Sequence, residues 1–293
     1  MTADPGFDLF LGIDWSGAKG ARNKGIQVAE AAPDEALPRL IANPYRPHGI
    51  WSRPDVLSYL IARMDEGRHV LAGFDFAFCY AFEDEGAYFP GLPDAPGSPE
   101  AVWALVEQAG QCDPDLYGAA LYRRADLPYR DYFMAPGWRG TKYSYRQRLA
   151  EQAAASVTTP HPVFKCLGAA NVGTGSLAGM RLLHRLRGLN RDIRLWPFDP
   201  EPGGVLTLVE IFPRLYYKLA GGDPRAWGDR DNLDAVCRHF GAVAGEIPGI
   251  RTEDEADALI SAAALRLLQA DPVLWQQARR AGAAKEGWIF GAA

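Results

Sequence analysis

The chain lacks several features that would assign it to a common enzyme or membrane class. Its four cysteines lie more than 30 positions apart, so no C-x-x-C pair offers a thiolate metal site or a redox dithiol. No run of about 18 apolar residues is present, and the 293 residues contain no G-x-S-x-G, H-E-x-x-H or Walker A motif. The first residues have no signal-peptide pattern, so we expect a cytoplasmic protein with reduced thiols.

Short apolar stretches and amphipathic segments predict an α/β domain with a mixed sheet. Strands are predicted at residues 9–15, 25–31, 39–43, 69–76 and 205–212, and the first three are expected to form a meander. Helices are predicted after the Ser52 cap, at 100–110, 143–155 and 176–187, and from about Thr252 onward.

Three acidic residues interrupt the predicted strands in apolar surroundings. Asp14 ends F-L-G-I-D-W, Asp75 lies in A-G-F-D-F-A-F, and Glu210 lies in V-L-T-L-V-E-I-F-P. A carboxylate withdrawn from water is costly unless it is paired or binds a cation. Each acid alone could be solvated at the sheet rim or paired with a neighbour such as Arg214. Three converging strand-end acids instead indicate an oxygen-ligand site for Mg²⁺ or Mn²⁺.

The last long helix adds carboxylates to this set. In T-E-D-E-A-D-A-L, Thr252 and Glu255 form a capping-box pattern. Acids in a first turn also stabilise the helix dipole without any ligand, and this interpretation suffices for Glu253 and Glu255. Asp254 and Asp257 share one helix face, and Asp257 begins the apolar stripe. Both are therefore predicted as metal ligands.

Five motifs, in this order and spacing, resemble the domain of unknown function 429 family of predicted RNase H-like nucleases: G-I-D-W-S-G, G-F-D-F, V-E-I-F-P-R, D-E-A-D-A-L and E-G-W-I-F-G. The sequence D-E-A-D-A-L also resembles the last acidic helix of the RuvC resolvases. The resemblance spans most of the chain. It implies a ribonuclease H-like fold in a single domain over 1–293, with a five-stranded mixed sheet whose first three strands are antiparallel, flanked by helices. It further implies that Asp14, Asp75, Asp254 and Asp257 are the acids of the site.

These residues predict a nuclease that hydrolyses phosphodiester bonds by a two-metal-ion mechanism. Two cations roughly 3.5–4 Å apart would activate water and stabilise the leaving oxygen. Asp14 would bridge both ions. The predicted catalytic residues are Asp14, Asp75, Glu210 and Asp257, and the predicted metal ligands are these four and Asp254.

Residues 80–195 are interpreted as a large, mostly helical insertion that is basic and rich in aromatic residues. Residues 122–148 carry seven basic and seven aromatic side chains, a composition typical of single-stranded nucleic-acid binding. The aromatics could equally pack the insertion, covered by Arg stems. G-T-G-S before the 176–187 helix is typical of a phosphate-binding helix start. The residues predicted to contact nucleic acid are Arg139, Lys142, Arg146, Lys165 and Ser176.

The net charge of −5 conceals two opposed regions. Residues 122–194 contain 13 Lys and Arg against 4 Asp and Glu, a net charge of +9, which leaves −14 on the remainder. An acidic core joined to a basic insertion favours an enzyme acting on DNA or RNA. No membrane association and no obligate protein partner are expected.

Two other functions remain open. An actin-like or sugar-kinase-type phosphotransferase or ATPase shares the same core fold, with G-I-D-W-S-G-A-K-G as a phosphate-binding turn. The chain is short for a duplicated two-lobe ATPase, however, and has no second Asp-Gly phosphate loop. A catalytically degenerate nucleic-acid-binding protein is the third possibility. His161 and His184 stand apart from any acid in the sequence and are interpreted as structural.

Overall fold

The computed structural model describes residues 6–168, 172–242 and 249–293. Its centre is a mixed six-stranded sheet in the order β3-β2-β1-β4-β8-β7. The strands are β1 (Leu9–Asp14), β2 (Gln27–Ala31), β3 (Arg39–Leu40), β4 (Val70–Phe74), β5 (Met134–Ala135), β6 (Trp138–Arg139), β7 (Ile193–Leu195) and β8 (Leu206–Glu210), of which β5 and β6 form a separate hairpin. Strands β1 to β3 pair antiparallel, whereas β1, β4, β8 and β7 are parallel.

The α/β class, the mixed sheet and the antiparallel start are confirmed, but the predicted count of five strands is wrong. The sixth strand, β7, has three residues and pairs with β8 at the edge of the sheet. A strand this short leaves almost no alternating pattern in the sequence, so its existence depends on the neighbour that it pairs with.

Ten α-helices in the described residues surround the sheet. They are α1 (Arg53–Asp65), α2 (Pro99–Gly110), α3 (Ala120–Arg123), α4 (Leu149–Ala154), α5 (Gly173–Arg187), α6 (Pro213–Leu219), α7 (Arg230–His239), α8 (Glu253–Leu268), α9 (Pro272–Gln276) and α10 (Ala283–Glu286). The predicted N-caps Ser52 and Thr252 are confirmed, but the capping box at Thr252 is only half formed, because the Glu255 carboxylate accepts the Arg251 N–H instead of the Thr252 N–H. Ser52 Oγ accepts the Asp55 N–H at 3.2 Å, and Thr252 Oγ1 accepts the Glu255 N–H at 3.2 Å.

The predicted helix at 143–155 is wrong over its first half, because only Leu149–Ala154 is helical. The preceding segment carries Arg146 and Arg148, whose side chains are buried in ion pairs with acids far away in the sequence. These tertiary contacts override the local helical propensity of the segment. Helices α6 and α7 were not predicted at all.

The two faces of the sheet bury different helices, and strict alternation along each strand decides which residue faces which layer. Leu9, Leu11 and Ile13 of β1 lie in one apolar cluster with residues of α1, α2 and α5. Phe10 lies in the other cluster, with residues of α6, α7 and α8. The first cluster also contains Trp103, so the segment 80–195 shares its core with the sheet.

Helix α8 lies unusually close to the sheet. A Cβ atom built on Gly12 would lie 2.1 Å from the Ala258 carbonyl oxygen and 2.5 Å from the Ala262 nitrogen. The helix is rich in buried alanines, whose small side chains permit this approach. The close contact between β1 and α8 holds the first turn of the helix near the end of the strand.

We expect Gly12→Ala to lower the free energy of unfolding by about 1–3 kcal/mol, because the added methyl group must displace α8 from β1. Urea denaturation measures this effect. Gly228→Ala is the matched control, since a Cβ at Gly228 meets no atom within 4 Å. Equal stability of the two variants would contradict the packing described here.

Among the described residues, no single helix is long and apolar enough to cross a membrane. The bent pair of α8 and the segment Pro272–Arg279, at 95°, passes that test by length and composition alone.

Candidate functional site

The ends of β1 and β4 and the first turns of α8 meet at one edge of the sheet. Parallel pairing of Ile13 with Phe74 makes Asp14 and Asp75 the next residues of neighbouring strands, and the Asp75 N–H donates to the Ile13 carbonyl oxygen at 3.1 Å. Alternation directs both acids to the face that α8 covers. Asp14, Asp75, Asp254 and Asp257 all line one cavity of about 850 Å³.

Burial raises the pKa of all four carboxyls, and repulsion among neighbouring acids raises it further. For Asp14, which is 8% exposed, the repelling neighbours include Asp75 and Asp257, and its pKa lies well above the ordinary value. The pKa of Asp75 rises to about 7, through burial and then Glu210. Those of Asp254 and Asp257 rise for the same reasons. We call these four residues the acid cluster.

The donor chemistry of the acid cluster fits a divalent cation. Its side-chain ligands are all carboxylate oxygens, which suit Mg²⁺ or Mn²⁺, and within the described residues none of the four forms an ion pair. A ready-made coordination group of three or more His, Cys, Asp or Glu side chains is absent from the described part of the chain. The fit therefore rests on four repelling carboxylates that a cation would neutralise.

Glu210 has a different role from the one that its position in the sequence predicts. It aligns with Leu206 and Leu208, which belong to the cluster on the opposite face from α8. Its two carboxylate oxygens accept hydrogen bonds from Arg148 at 2.5 and 2.7 Å, and Oε2 also accepts the Phe78 N–H. Glu210 lines the same cavity as the acid cluster. Because Arg148 and this backbone amide engage both of its oxygens, we interpret it as an ion-pair partner of Arg148 and no longer propose it as a metal ligand.

Arg148, which lines the cavity, links three parts of the chain. Besides Glu210, it forms an ion pair with Glu151 at 3.0 Å and donates to the Glu286 carbonyl oxygen at 3.1 Å. Arg148 and Glu151 are both at most 2% exposed. The Glu286 carboxylate in turn accepts the Phe82 and Leu149 N–H groups. This network holds β8, α4 and α10 together beside the acid cluster.

Two of the five predicted nucleic-acid contacts are buried and serve the fold. Arg146 pairs with Asp84 and donates to the carbonyl oxygens of Ala81 and Tyr88. Ser176 is fully buried, and its Oγ accepts the Ala77 N–H at 3.0 Å, which ties the loop after Asp75 to α5. Neither side chain is available to a phosphate.

Most of the basic residues in 122–194 are paired with carboxylates, although only Arg146, Arg148 and Arg181 among them are buried. Of the 13 basic residues there, eight form ion pairs within the described residues: Arg124, Arg146, Arg148, Arg181, Arg185, Arg187, Arg191 and Arg194. Arg181 and Arg185 share Glu107, for example. The basic insertion is therefore much less of a polyanion surface than its composition predicts.

The other three predicted contacts remain accessible. Arg139 is exposed, with its guanidinium 5.5 Å from the centre of the Tyr143 ring. Lys142 is exposed, and its Nζ lies 5.2 Å from the Tyr132 ring centre. Lys165 is half-buried. These three residues stay candidates for nucleic-acid contacts.

Two cavity residues escaped the sequence-based prediction. Arg214, considered only as a possible ion-pair partner of a strand acid, lines the cavity and forms no ion pair within the described residues. His161, interpreted as structural, lines the same cavity. Arg214 reaches the cavity because β8 pairs with β4, which the sequence alone does not reveal, and nothing near His161 in the sequence links it to the acids.

The raised pKa of Asp75 makes stability depend on pH in a definite direction. In the folded state the Asp75 carboxyl keeps its proton up to about pH 7, whereas in the unfolded chain it loses the proton near its ordinary pKa of 3.8. The folded state thus binds more protons between these values, so the free energy of unfolding falls as pH rises through this window, by up to about 1.4 kcal/mol per pH unit for one proton. Glu151, with a pKa raised to about 7 by burial, adds to the same trend.

We expect the melting temperature in EDTA to fall between about pH 5 and about pH 8, and millimolar Mn²⁺ to restore it at the upper end. Thermal melts of the wild type and Asp75→Asn measure both effects, and the variant should have the flatter pH profile. A melting temperature that rises across this window in EDTA, or a variant with the same slope as the wild type, would contradict the assignment.

The chain matches no protein-family model, no curated protein and no solved structure.

Proposed function

We propose that this protein is a metal-dependent nuclease that hydrolyses phosphodiester bonds at the acid cluster. The observation that carries the proposal is that Asp14, Asp75, Asp254 and Asp257 reach one cavity from three elements, with raised pKa values and without an ion-pair partner among the described residues. Buried, repelling carboxylates of this kind are costly to the fold, which favours a role in binding cations.

The proposal includes a ribonuclease H-like fold. Its support is the succession of three antiparallel strands, helix α1, and then β4 and β8 parallel to β1. The additional strand β7 lies at the outer edge, beyond β8, so it leaves the central pair β1 and β4 unchanged. Helix α8 packs on β1 and carries the last two acids, as the resemblance to the RuvC resolvases implies.

Each part of the acid cluster has a distinct task in this reaction. Asp14 ends β1, which pairs with β4 and packs against α8, so it lies between Asp75 and the α8 acids and would contact both cations. Asp75 would hold one side and the α8 acids the other. Bound cations would supply water activation and leaving-group stabilisation. Hydrolysis joins the water oxygen to phosphorus and breaks one P–O ester bond, while water releases a proton and the leaving alcohol gains one.

The alternative of a two-lobe ATPase is less well supported. Such a protein would need two sheets of the same kind. The described residues contain one six-stranded sheet and one hairpin whose two strands have two residues each. The other alternative, a catalytically degenerate nucleic-acid-binding protein, is distinguished from the nuclease by the cleavage and Mn²⁺-binding measurements below.

The test is incubation of the purified protein with end-labelled single-stranded DNA, duplex DNA and single-stranded RNA, in Mn²⁺, Mg²⁺ or EDTA. We expect cleavage of at least one polymer in Mn²⁺ and none in EDTA. Cleavage that persists in EDTA, or the absence of cleavage and of saturable Mn²⁺ binding, would overturn the proposal.

A further inference from the structure

Arg214 belongs to the same sheet edge as the acid cluster. Strand β8 ends at Glu210, the Ile211 N–H donates to the Phe74 carbonyl oxygen at 3.0 Å, and α6 begins at Pro213. Arg214 therefore lies four residues beyond the end of β8, in the first turn of α6, at the edge of the sheet where Asp75 follows β4. Its side chain is exposed and lines the cavity.

Arg214 lines the same cavity as Asp75, Asp257 and His161. Burial raises the pKa of Asp75 and Asp257, and the positive charge of Arg214 opposes that rise. Burial lowers the pKa of His161, and Lys165 and Arg214 lower it further. Within the described residues the Arg214 guanidinium forms no ion pair, so it is committed to no carboxylate there.

This position suits the recognition of a phosphate. A guanidinium presents two parallel N–H donors that match two phosphate oxygens, and such charge-assisted pairs are among the strongest hydrogen bonds in proteins. Divalent cations at the acid cluster and a free guanidinium beside it would contact different oxygens of one phosphate. Arg148, which also lines the cavity, cannot do this because Glu151 and Glu210 engage it.

We propose that Arg214 binds the non-bridging oxygens of the phosphodiester that is hydrolysed at the acid cluster. This inference rests on the proposed nuclease function and names the side chain that orients its substrate. Arg214 is a cationic side chain of the cavity lining that forms no ion pair within the described residues, and Lys165, outside the cavity lining, stays a separate candidate for a nucleic-acid contact.

The test measures two ligands on three variants by isothermal titration calorimetry. The ligands are Mn²⁺ alone and inorganic phosphate in saturating Mn²⁺. The variants are Arg214→Met, Arg214→Lys and the control Lys218→Met, an exposed cation on the same helix that does not line the cavity. We expect Arg214→Met to bind phosphate about 10- to 100-fold more weakly than the wild type. Arg214→Lys should recover part of the loss, because it keeps the charge but not the paired donors.

For the binding of Mn²⁺ alone we expect the opposite result, which distinguishes a loss of phosphate binding from general damage to the site. Loss of the nearby positive charge should leave Mn²⁺ binding unchanged or make it tighter in Arg214→Met, while Lys218→Met matches the wild type for both ligands. Wild-type phosphate affinity in Arg214→Met, or loss of its Mn²⁺ binding, would overturn the role of Arg214 and leave the nuclease proposal intact. If the wild type itself takes up no Mn²⁺, the nuclease proposal and this inference both fail.

Discussion

Replacing Arg148 with Met is expected to lower the free energy of unfolding by about 3–5 kcal/mol, a large fraction of the stability of an ordinary domain. The substitution keeps much of the side-chain volume but leaves Glu151 and Glu210 buried without their cation. Burial already raises the pKa of Glu151 to about 7 with Arg148 present, so its carboxyl should take up a proton in the variant. Urea denaturation at neutral pH measures the change.

The control for this variant is Arg279→Met. Arg279 pairs with Glu201 at 3.0 Å, but both side chains are more than 60% exposed, so its loss should cost about 0–1 kcal/mol. The double variant Arg148→Met with Glu210→Gln should recover part of the lost stability, because one buried charge is removed. A loss below about 1 kcal/mol in Arg148→Met would show that the buried network does not hold β8, α4 and α10 together.

Asp14→Asn is expected to reduce Mn²⁺-dependent cleavage by at least about 10²-fold and, in EDTA, to raise the melting temperature. The amide keeps the shape of the carboxylate but supplies no negative charge to a cation. Removal of one of four repelling charges also relieves the folded state. Activity and stability thus change in opposite directions, which a substitution that merely damages the fold cannot produce.

Two further variants sharpen the test of the acid cluster. Asp34→Asn makes the same chemical change at an exposed acid outside the cavity and should alter neither property. Glu210→Gln should lower stability yet keep saturable Mn²⁺ binding, because Glu210 contacts Arg148 instead of a cation. Full activity in Asp14→Asn, or loss of Mn²⁺ binding in Glu210→Gln with retained binding in Asp14→Asn, would reverse the assignment of the two acids.

The sequence predicts the positions of Asp14 and Asp75 well for a simple physical reason. Each follows an apolar strand directly, and a carboxylate there is conspicuous because its burial is costly. Asp254 and Asp257 are similarly marked by the Thr252 cap, which sets the beginning of α8 and hence the face that both acids share. These are local patterns, which can be recognised in the sequence without a structure.

Glu210 has the same local pattern and a different role, because its face of the sheet depends on register. The pairing of Phe74 with Glu210 places this acid one position earlier than Asp75, and so on the opposite face. Nothing within β8 alone reveals that offset.

The arginines show the same limit of sequence-based prediction. Arg139 and Arg146 lie in one basic run, yet Arg139 is exposed and Arg146 reaches a buried site beside Asp84. Composition counts charges, whereas burial depends on partners such as Asp84 and Glu107 that lie about 60 to 80 positions away in the chain. For the same reason, neither the short strand β7 nor the position of Arg214 in the cavity can be predicted from the sequence, because both depend on how the strands pair.

The most direct test of the central claim is the stoichiometry and affinity of Mn²⁺ binding at about pH 8, where the acid cluster is most fully ionised. Calorimetry or electron paramagnetic resonance on the wild type and on Asp14→Asn with Asp257→Asn measures it. The account predicts saturable binding to the wild type and none to the folded double variant. Equal binding to both proteins, or no saturable binding to the wild type, would contradict it.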